Sequence, residues 1–523
     1  MPNWTDEQLA AIEENRGALL VSAAAGSGKT AVLVERVLRR LTHPQNPTDI
    51  DRFLLVTYTN AAAAEMRGKI ADAIAARLSS QPDNKRLRRQ LLLVHRAQIT
   101  TVHSFCLNLV REQFAALDLP PDFRIADEGE RAEIMEEALE TVLESGYESE
   151  DEGFLALSDL LSAGRDDRRL GQVILEVFEK IQSHAMPDEF LEEVAKTYAG
   201  EDGSEKHYAV LLAEAGMAVE YGLASLDLAL AELESDPQLQ EAYLPAFTAD
   251  RNHAAALQNA IRQGWEQAVA AAQSITHDRL RAVRGYEDKE FQEYVKGLRK
   301  NWRTVADKIQ TRLLCCDKQT EVHDRMLVAP AMLALIQTVR AFSKTFAAEK
   351  LKHGVVDFGD LEHFAVRLLL KDGKPTALAK TVSLGFDEIM VDEYQDTNAV
   401  QEAIFNAVSR EGNLFFVGDV KQSIYGFRLA NPYIFLDKYR AWAEAGKAAD
   451  GQPRRQNLTR NFRSRAQVLE ATNYIFRQVM SESLGDLDYT DREALYAGAN
   501  YPAPQDSRYH TEVLLLDTAK TEP

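Results

Sequence analysis

Cysteine is nearly absent: Cys106, Cys315 and Cys316 are the only three in 523 residues. Three thiols support neither a disulfide framework nor a four-thiolate metal site, and the adjacent pair reads as a buried apolar spot rather than a redox device. No uninterrupted apolar run approaches the roughly 18 residues that a membrane-crossing helix needs. The first eight residues are polar and acidic, without the basic-then-apolar order of a secretion signal. A cytoplasmic protein with no membrane contact is expected. Basic charge is also short, with 60 Lys and Arg against 81 Asp and Glu and a formal net charge of −21. Taken as a sum, that disfavours a nucleic-acid partner. The deficit is local, however. Between residues 127 and 205 acidic side chains outnumber basic ones roughly four to one, whereas Lys85-Arg86-Leu87-Arg88-Arg89 and residues 454–465 are locally basic. Net charge therefore excludes a uniformly basic binder but not a DNA-binding face. Apolar residues make up 45%, enough for several cores, and the length suggests three or four domains at about 150 residues each.

Over residues 19–108 short apolar runs alternate with helical patterns. Ala18-Leu19-Leu20-Val21 and Phe53-Leu54-Leu55-Val56-Thr57 read as buried strands, and a third is expected at 99–102. The helix after Thr30 places Val34, Val37, Leu38 and Leu41 on one face, and an alanine-rich helix is expected over 61–78. Alternation of this kind argues for a parallel sheet covered on both faces. From about 127 to 350 the strand-like runs almost vanish. Acidic or alanine-rich amphipathic stretches such as 132–143 and 254–271 replace them, which predicts an all-helical insertion. The β pattern resumes at Ile389-Met390-Val391 and Leu414-Phe415-Phe416-Val417. A Gly-, Ala-, Asp- and Arg-rich stretch at about 445–455 reads as a domain boundary, and a last strand is expected at 513–516.

The chemistry-bearing segments sit at the ends of these strands. Ala23-Ala24-Ala25-Gly26-Ser27-Gly28-Lys29-Thr30 lies between a strand and a helix. Small residues let backbone N–H groups wrap a β-phosphate, Lys29 supplies charge for the β- and γ-phosphates, and the Thr30 hydroxyl suits Mg²⁺. Ala23 stands where the general pattern has its first glycine, and the bland alternative is a glycine-rich turn capping a helix. At the end of a later strand, Asp392 would hold the metal through water and Glu393 would activate the attacking water. The alternative is an acidic turn. The two segments are more than 350 positions apart, so the helical block would interrupt a single nucleotide-hydrolysing domain. In Gly418-Asp419-Val420-Lys421-Gln422-Ser423-Ile424-Tyr425-Gly426-Phe427-Arg428, the neutral amide of Gln422 could read the γ-phosphate. Tyr425, Phe427 and Arg428 could form the stacking, cationic platform of single-strand binders, or simply an ordinary loop. Finally, Arg463 in Asn457-Leu458-Thr459-Arg460-Asn461-Phe462-Arg463-Ser464-Arg465 is the candidate for an arginine reaching the γ-phosphate from a second lobe. It could equally be a surface arginine near a helix start.

In order, Gln8, residues 23–30, Thr57-Tyr58-Thr59-Asn60, Thr101-Val102-His103-Ser104-Phe105, residues 391–396, 418–428 and 461–464 resemble the motif series of UvrD/Rep-type superfamily 1 DNA helicases. Ser22 with the phosphate loop, Cys106 after Phe105, and Val356-Asp357-Phe358-Gly359-Asp360-Leu361 resemble, within that family, the AddA-type subunits of bacterial AddAB helicase–nucleases. The resemblance implies an α/β fold, a RecA-like P-loop NTPase sheet. Its first lobe would be made of residues 1–125 and 351–450, with a helical insertion at 126–350 and an incomplete second RecA-like lobe at 451–523. It implies ATP and Mg²⁺ as cofactors, 3′→5′ movement on single-stranded DNA, processing of double-stranded ends for recombination, and a heterodimer with an AddB-type nuclease subunit. Gln8 matches a glutamine that reads adenine, although Thr5-x-x-Gln8 is also a helix capping box. Phe462 matches a ring that stacks on adenine, and Arg463 the γ-phosphate arginine. Tyr58, Thr59, Asn60, His103 and Phe105 match segments lining the single-strand track, with His103 alternatively a core histidine, and Phe427 matches a base-stacking aromatic. The matching stops at Arg465, so the chain reads as the N-terminal portion of such a motor and its residues are assigned no nuclease chemistry. A UvrD/Rep-type repair helicase and a non-catalytic ATP- and DNA-binding module are the rival readings.

Overall fold

A computed structural model describes residues 4–161, 166–198, 204–502 and 511–515. Its central sheet is built from β1 (Leu19–Ala23), β2 (Phe53–Thr57), β3 (Gln98–Thr101), β4 (Glu388–Val391), β5 (Leu414–Gly418), β6 (Ala443–Glu444) and β7 (Arg454–Leu458). All pairs are parallel, in the order β6-β7-β1-β5-β4-β2-β3. The apolar runs are continuous because each strand feeds two cores. Leu20, Leu54, Val56, Val391 and Phe416 enter one, while Leu19, Val21, Phe53, Leu55, Met390, Phe415 and Val417 enter the other. The second core is closed by the helices Lys29–Leu41 and Asn60–Ser80, the first by Val102–Glu112 and Phe358–Leu369. A charge lies at the end of the second core: Glu388 of β4 accepts from the buried Arg36 at 2.6 Å and from Arg40 at 3.0 Å.

The backbone separates into two compact units. One comprises Met1–Thr141, Leu175–Pro187 and Phe342–Pro523 and contains the sheet. In the other, Val142–Ile174 and Asp188–Ala341, every described secondary-structure element is a helix. Its core packs Tyr243, Phe247 and Trp302, and its fully buried Asp250 is paired with Arg299 at 2.6 Å and His277 at 2.8 Å.

Several elements differ from expectation. The stretch 445–455 does not divide two sheets, because β7 beyond it pairs directly with β1. The expected helix 254–271 is two helices, Pro237–Gln263 and Trp265–Gln273, broken at Gly264 where φ is +118°. Residues 513–515 form no strand, and Leu516 lies outside the described residues. The cysteine pair is not buried: Cys315 is exposed and Cys316 half-buried, their sulfurs 3.9 Å apart. Two helical stretches, His207–Leu233 and Lys318–Lys352, are long and apolar enough by composition to cross a membrane, although no apolar run in the sequence is that long. The first carries Ala215, Val219, Leu226 and Leu233 into the helical core, as a packed helix of a globular unit does.

Candidate active site

The turn leaving β1 is shaped by two glycines with left-handed backbone, Gly26 (φ +68°) and Gly28 (φ +84°). A Cβ on Gly26 would come within 2.8 Å of Asn461 Nδ2 and 2.9 Å of Arg463 Cβ, so only glycine lets the segment after β7 close over the turn. That closure is hydrogen-bonded: Asn461 Nδ2 donates to the Ala25 carbonyl at 2.7 Å and Phe462 N to the Gly26 carbonyl at 2.8 Å. Asn461 Oδ1 in turn accepts from the backbone of Arg463 and Ser464, fixing the turn that carries Arg463. Ala23 is the last residue of β1, paired with Leu458 in ordinary strand geometry, so its methyl group is accommodated where the general pattern has glycine.

Gly28 precedes the helix Lys29–Leu41 and offers no side-chain cap. The first-turn N–H groups, with the positive end of the helix dipole, are thus suited to an anion. A pocket of about 570 Å³ opens over this helix start, lined by Gly26, Ser27, Gly28, Lys29, Thr30, Glu393 and Arg463 and walled on its apolar side by Trp4, Val34, Leu38 and Ala73. Gln8 borders it: its Nε2 donates to the Ser27 carbonyl at 2.9 Å while its Oε1 accepts from Thr5 N at 3.0 Å. The capping box and the contact with the phosphate-type loop are therefore simultaneous, and each amide atom keeps one further bonding position.

Across the pocket, Lys29 Nζ pairs with Glu393 Oε2 at 2.6 Å, joining segments 364 positions apart. Glu393 itself sits at φ +51°, a left-handed conformation costly for a side chain of its size. Burial, and then the neighbouring Glu393 charge, push the Asp392 carboxyl up to about 6, and the same two causes bring Asp396 to about 6. The Ser27 hydroxyl and Asp396 Oδ1 are buried with no hydrogen-bond partner. Gln395, 2% exposed, ties this corner to the next loop. Its Nε2 donates to Glu393 Oε2 at 2.9 Å, and its Oε1 accepts from Asp419 N at 2.9 Å. Asp419 in turn accepts from Gln422 Nε2 at 2.7 Å.

The other candidates lie at the ends of β2, β3 and β5. Tyr58 is half-buried with its hydroxyl 2.7 Å from Thr397 Oγ1, and burial holds that phenol well above its ordinary value. Thr59 caps the helix Asn60–Ser80 by accepting from Ala62 N at 3.0 Å, and both Thr59 and Asn60 are exposed. His103 is half-buried rather than a core histidine, its side chain 42% exposed; its Nε2 is 3.4 Å from Glu362 Oε1 and its ring meets Phe358 edge-on at 5.3 Å. Tyr425 and Phe427, the latter 76% exposed, hold their rings 5.8 Å apart.

The family model for the UvrD/REP helicase N-terminal domain matches residues 4–442. The chain belongs to the UvrD/REP helicase family. It is similar to the A subunit of the ATP-dependent helicase/nuclease of Geobacillus thermodenitrificans, 40% identical over 99% of this chain and 42% of the relative. It is likewise similar to that of Anoxybacillus flavithermus, 40% over 99% and 44%, and that of Acetivibrio thermocellus, 40% over 95% and 41%. The chain thus spans about two-fifths of the length of the curated relatives it matches.

Two expected positions of the helicase motif series lie elsewhere. Phe105 is 6% exposed in the core beneath the sheet, because the buried face of Val102–Glu112 runs through Val102, Phe105, Cys106 and Leu109, leaving His103 on the outer side. Phe462 does not line the pocket. Its ring lies over Gly498, where a Cβ would come within 2.7 Å, and the aromatic on the pocket wall is Trp4. The Arg428 side chain lies outside the described residues. Residues given no role from sequence, namely Trp4, Gln395, Asp396 and Asn461, complete the site. All but Trp4 lie inside quoted motifs, where the buried amides beside charged residues were the available signal.

The raised Asp392 carboxyl makes a prediction. Its shift from 3.8 to about 6 corresponds to roughly 3 kcal/mol at about 1.4 kcal/mol per unit. A carboxyl whose folded value lies above its unfolded one costs nothing below about pH 4, and its cost is complete once pH exceeds 6. Asp392→Asn is therefore expected to stabilise the nucleotide-free chain at pH 7.5 by about 1–3 kcal/mol. In urea unfolding the advantage should shrink towards zero at pH 4, and an advantage that does not depend on pH would refute the assigned cause.

Proposed function

We propose that the chain is the N-terminal motor portion of an AddA-type DNA helicase, in which a RecA-like sheet binds Mg²⁺·ATP and moves 3′→5′ along single-stranded DNA. The observation that carries this reading is the Lys29–Glu393 pair at the mouth of a pocket beside an uncapped helix start. Lys29 and the N–H groups of 26–30 would hold the phosphates. The Thr30 hydroxyl and Asp392 would hold Mg²⁺, which together with ATP supplies a polarised phosphoanhydride for hydrolysis. The residues fit that role: two partly desolvated carboxylates at about 6 beside Glu393 form a site short of positive charge. Among the described residues no cluster of three or more His, Cys, Asp or Glu could hold a metal by itself, which suits an ion shared with substrate phosphates.

Glu393 would take the proton of the attacking water, Gln422 would report the γ-phosphate to its loop, and Arg463 would stabilise charge on it. Gln8 keeps a donor and an acceptor for the adenine edge. Single-stranded DNA would cross the strand ends past Tyr58, Thr59, Asn60, His103, Tyr425 and Phe427. The segment beyond Leu458 would begin a second lobe. The relatives' name makes each of them one subunit of a helicase/nuclease. That name supports pairing with an AddB-type nuclease subunit, with double-stranded DNA ends the substrate of the whole assembly.

Binding of a fluorescent ATP analogue with and without Mg²⁺, and phosphate release with and without oligo(dT), tests the reading. Mg²⁺-dependent binding is expected; a folded chain that binds no nucleotide would overturn it. On the DNA side, Phe427→Ala removes a largely exposed ring, and stacking is worth about 1–3 kcal/mol per base. Oligo(dT) affinity is thus expected to drop roughly tenfold or more by fluorescence anisotropy, with nucleotide binding retained.

A further inference from the structure

We propose that Gln395 is the positioning residue through which DNA occupancy of the 419–427 loop reaches Glu393. The inference rests on the nucleotide and DNA roles just assigned. A buried amide has one acceptor oxygen and two N–H donors, and here each side is committed in a different direction. Towards the pocket, Nε2 donates to Glu393 Oε2 at 2.9 Å and also reaches Asp396 Oδ2 at 3.3 Å. Away from it, Oε1 accepts from the backbone of Asp419 at 2.9 Å, and the Gln395 carbonyl accepts from Ser423 Oγ at 3.3 Å. The path then continues. Asp419 accepts from Gln422 at 2.7 Å and pairs with Lys421 Nζ at 2.9 Å, and the same loop runs on to Tyr425 and Phe427.

The fit leaves no slack. A Cβ on Gly418 would lie 2.3 Å from Gln395 Oε1, so the last residue of β5 is a glycine against which this amide is pressed. With an unpartnered buried amide costing about 1–3 kcal/mol, a movement of the 419–423 backbone must either carry Gln395 along or break its bond to Asp419. Because Glu393 Oε2 is shared between Gln395 and Lys29, any shift of the amide changes how firmly the carboxylate is held on the lysine. Loop position and carboxylate position are therefore coupled through one side chain.

The test is a linkage measurement on the whole chain, with a fluorescent ATP analogue titrated in Mg²⁺ buffer with and without saturating oligo(dT). In the wild type DNA is expected to tighten nucleotide binding about fivefold or more, the ordinary scale of such coupling. Gln395→Met keeps the volume but removes both donors and the acceptor, and its ratio should fall to near one. Gln395→Glu, which keeps an acceptor for Asp419 but loses the donor to Glu393, should lose the ratio likewise and serves if the methionine variant does not fold. A merely structural role would weaken nucleotide binding equally with and without DNA, leaving the ratio intact.

A thermodynamic cycle adds a second readout: in a Gln422→Ala background, Gln395→Met should remove no further coupling. An undiminished ratio in the Gln395 variants, additive losses in the cycle, or a wild type that binds nucleotide indifferently to DNA would each overturn the proposal. A wild type that binds no nucleotide at all would instead overturn the function on which it rests.

Discussion

In Lys29→Ala, DNA-stimulated phosphate release is expected to fall by about 10²–10³-fold, the usual loss when a preorganised charge at a reacting centre is removed. The side chain is only 14% exposed and already oriented by its 2.6 Å pair with Glu393, so its charge acts at a fixed point and in a partly desolvated setting. Its removal has a second effect that a purely local reading would miss. Lys29 is among the few positive charges that lower the Asp392 and Asp396 carboxyls, with burial and Glu393 pushing the other way. Without it three carboxylates share one corner, and both aspartates should titrate still higher. Nucleotide binding at pH 7.5 should weaken together with turnover, because anionic phosphates would meet uncompensated negative charge. Lys29→Arg preserves the charge but replaces a compact ammonium by a planar fork, and it should recover binding better than turnover. Unchanged turnover in Lys29→Ala, with circular dichroism showing a folded chain, would sink the phosphate-loop assignment.

How much of this was visible in the residues depended on burial. The strands β1, β2, β4 and β5 announce themselves because both faces are covered, which forces continuous apolar runs. β7 carries no such run. Its sequence Arg454-Arg455-Gln456-Asn457-Leu458 is polar, and it enters the sheet because Arg454 is fully buried against Glu14 at 3.2 Å, a pairing 440 positions away. Hence the Gly- and Asp-rich stretch before it looked like a boundary when it merely connects neighbouring strands. The site shows the same division. Lys29, Thr30, Asp392, Glu393 and Arg463 stand at strand ends in spacings whose chemistry is specific, and the fold brings Lys29, Thr30, Glu393 and Arg463 to one pocket. Phe105 and Phe462 are aromatic residues inside motifs, and a motif does not say which way a ring faces; helix periodicity turns one into the core, and Gly498 makes room for the other. Gln395 and Asn461 could be seen but not given a role, since their partners come from distant segments of the chain.

Glu393→Gln should separate binding from chemistry. If the carboxylate accepts the proton of the attacking water, its amide cannot, and turnover should fall about 10²–10⁴-fold. Nucleotide affinity should hold or tighten, since a negative charge facing the phosphates is gone while the amide oxygen can still accept from Lys29 and Gln395. The left-handed backbone at Glu393 is equally open to either side chain, so the fold itself gives little reason for loss. The substitution also carries a signature in pH. Glu393 is the second cause, after burial, of the Asp392 carboxyl standing at about 6. Neutralising it should move that titration downwards, and Mg²⁺-dependent nucleotide binding, which draws on ionised Asp392, should persist to lower pH than in the wild type. Titrations of nucleotide affinity in Mg²⁺ buffer between pH 5 and 8 would show the acid limb, near 6 in the wild type, displaced to lower pH in the variant. Lost turnover with an unmoved limb would place Glu393 away from Asp392 in solution, and an unchanged turnover would return the general-base role to some other group.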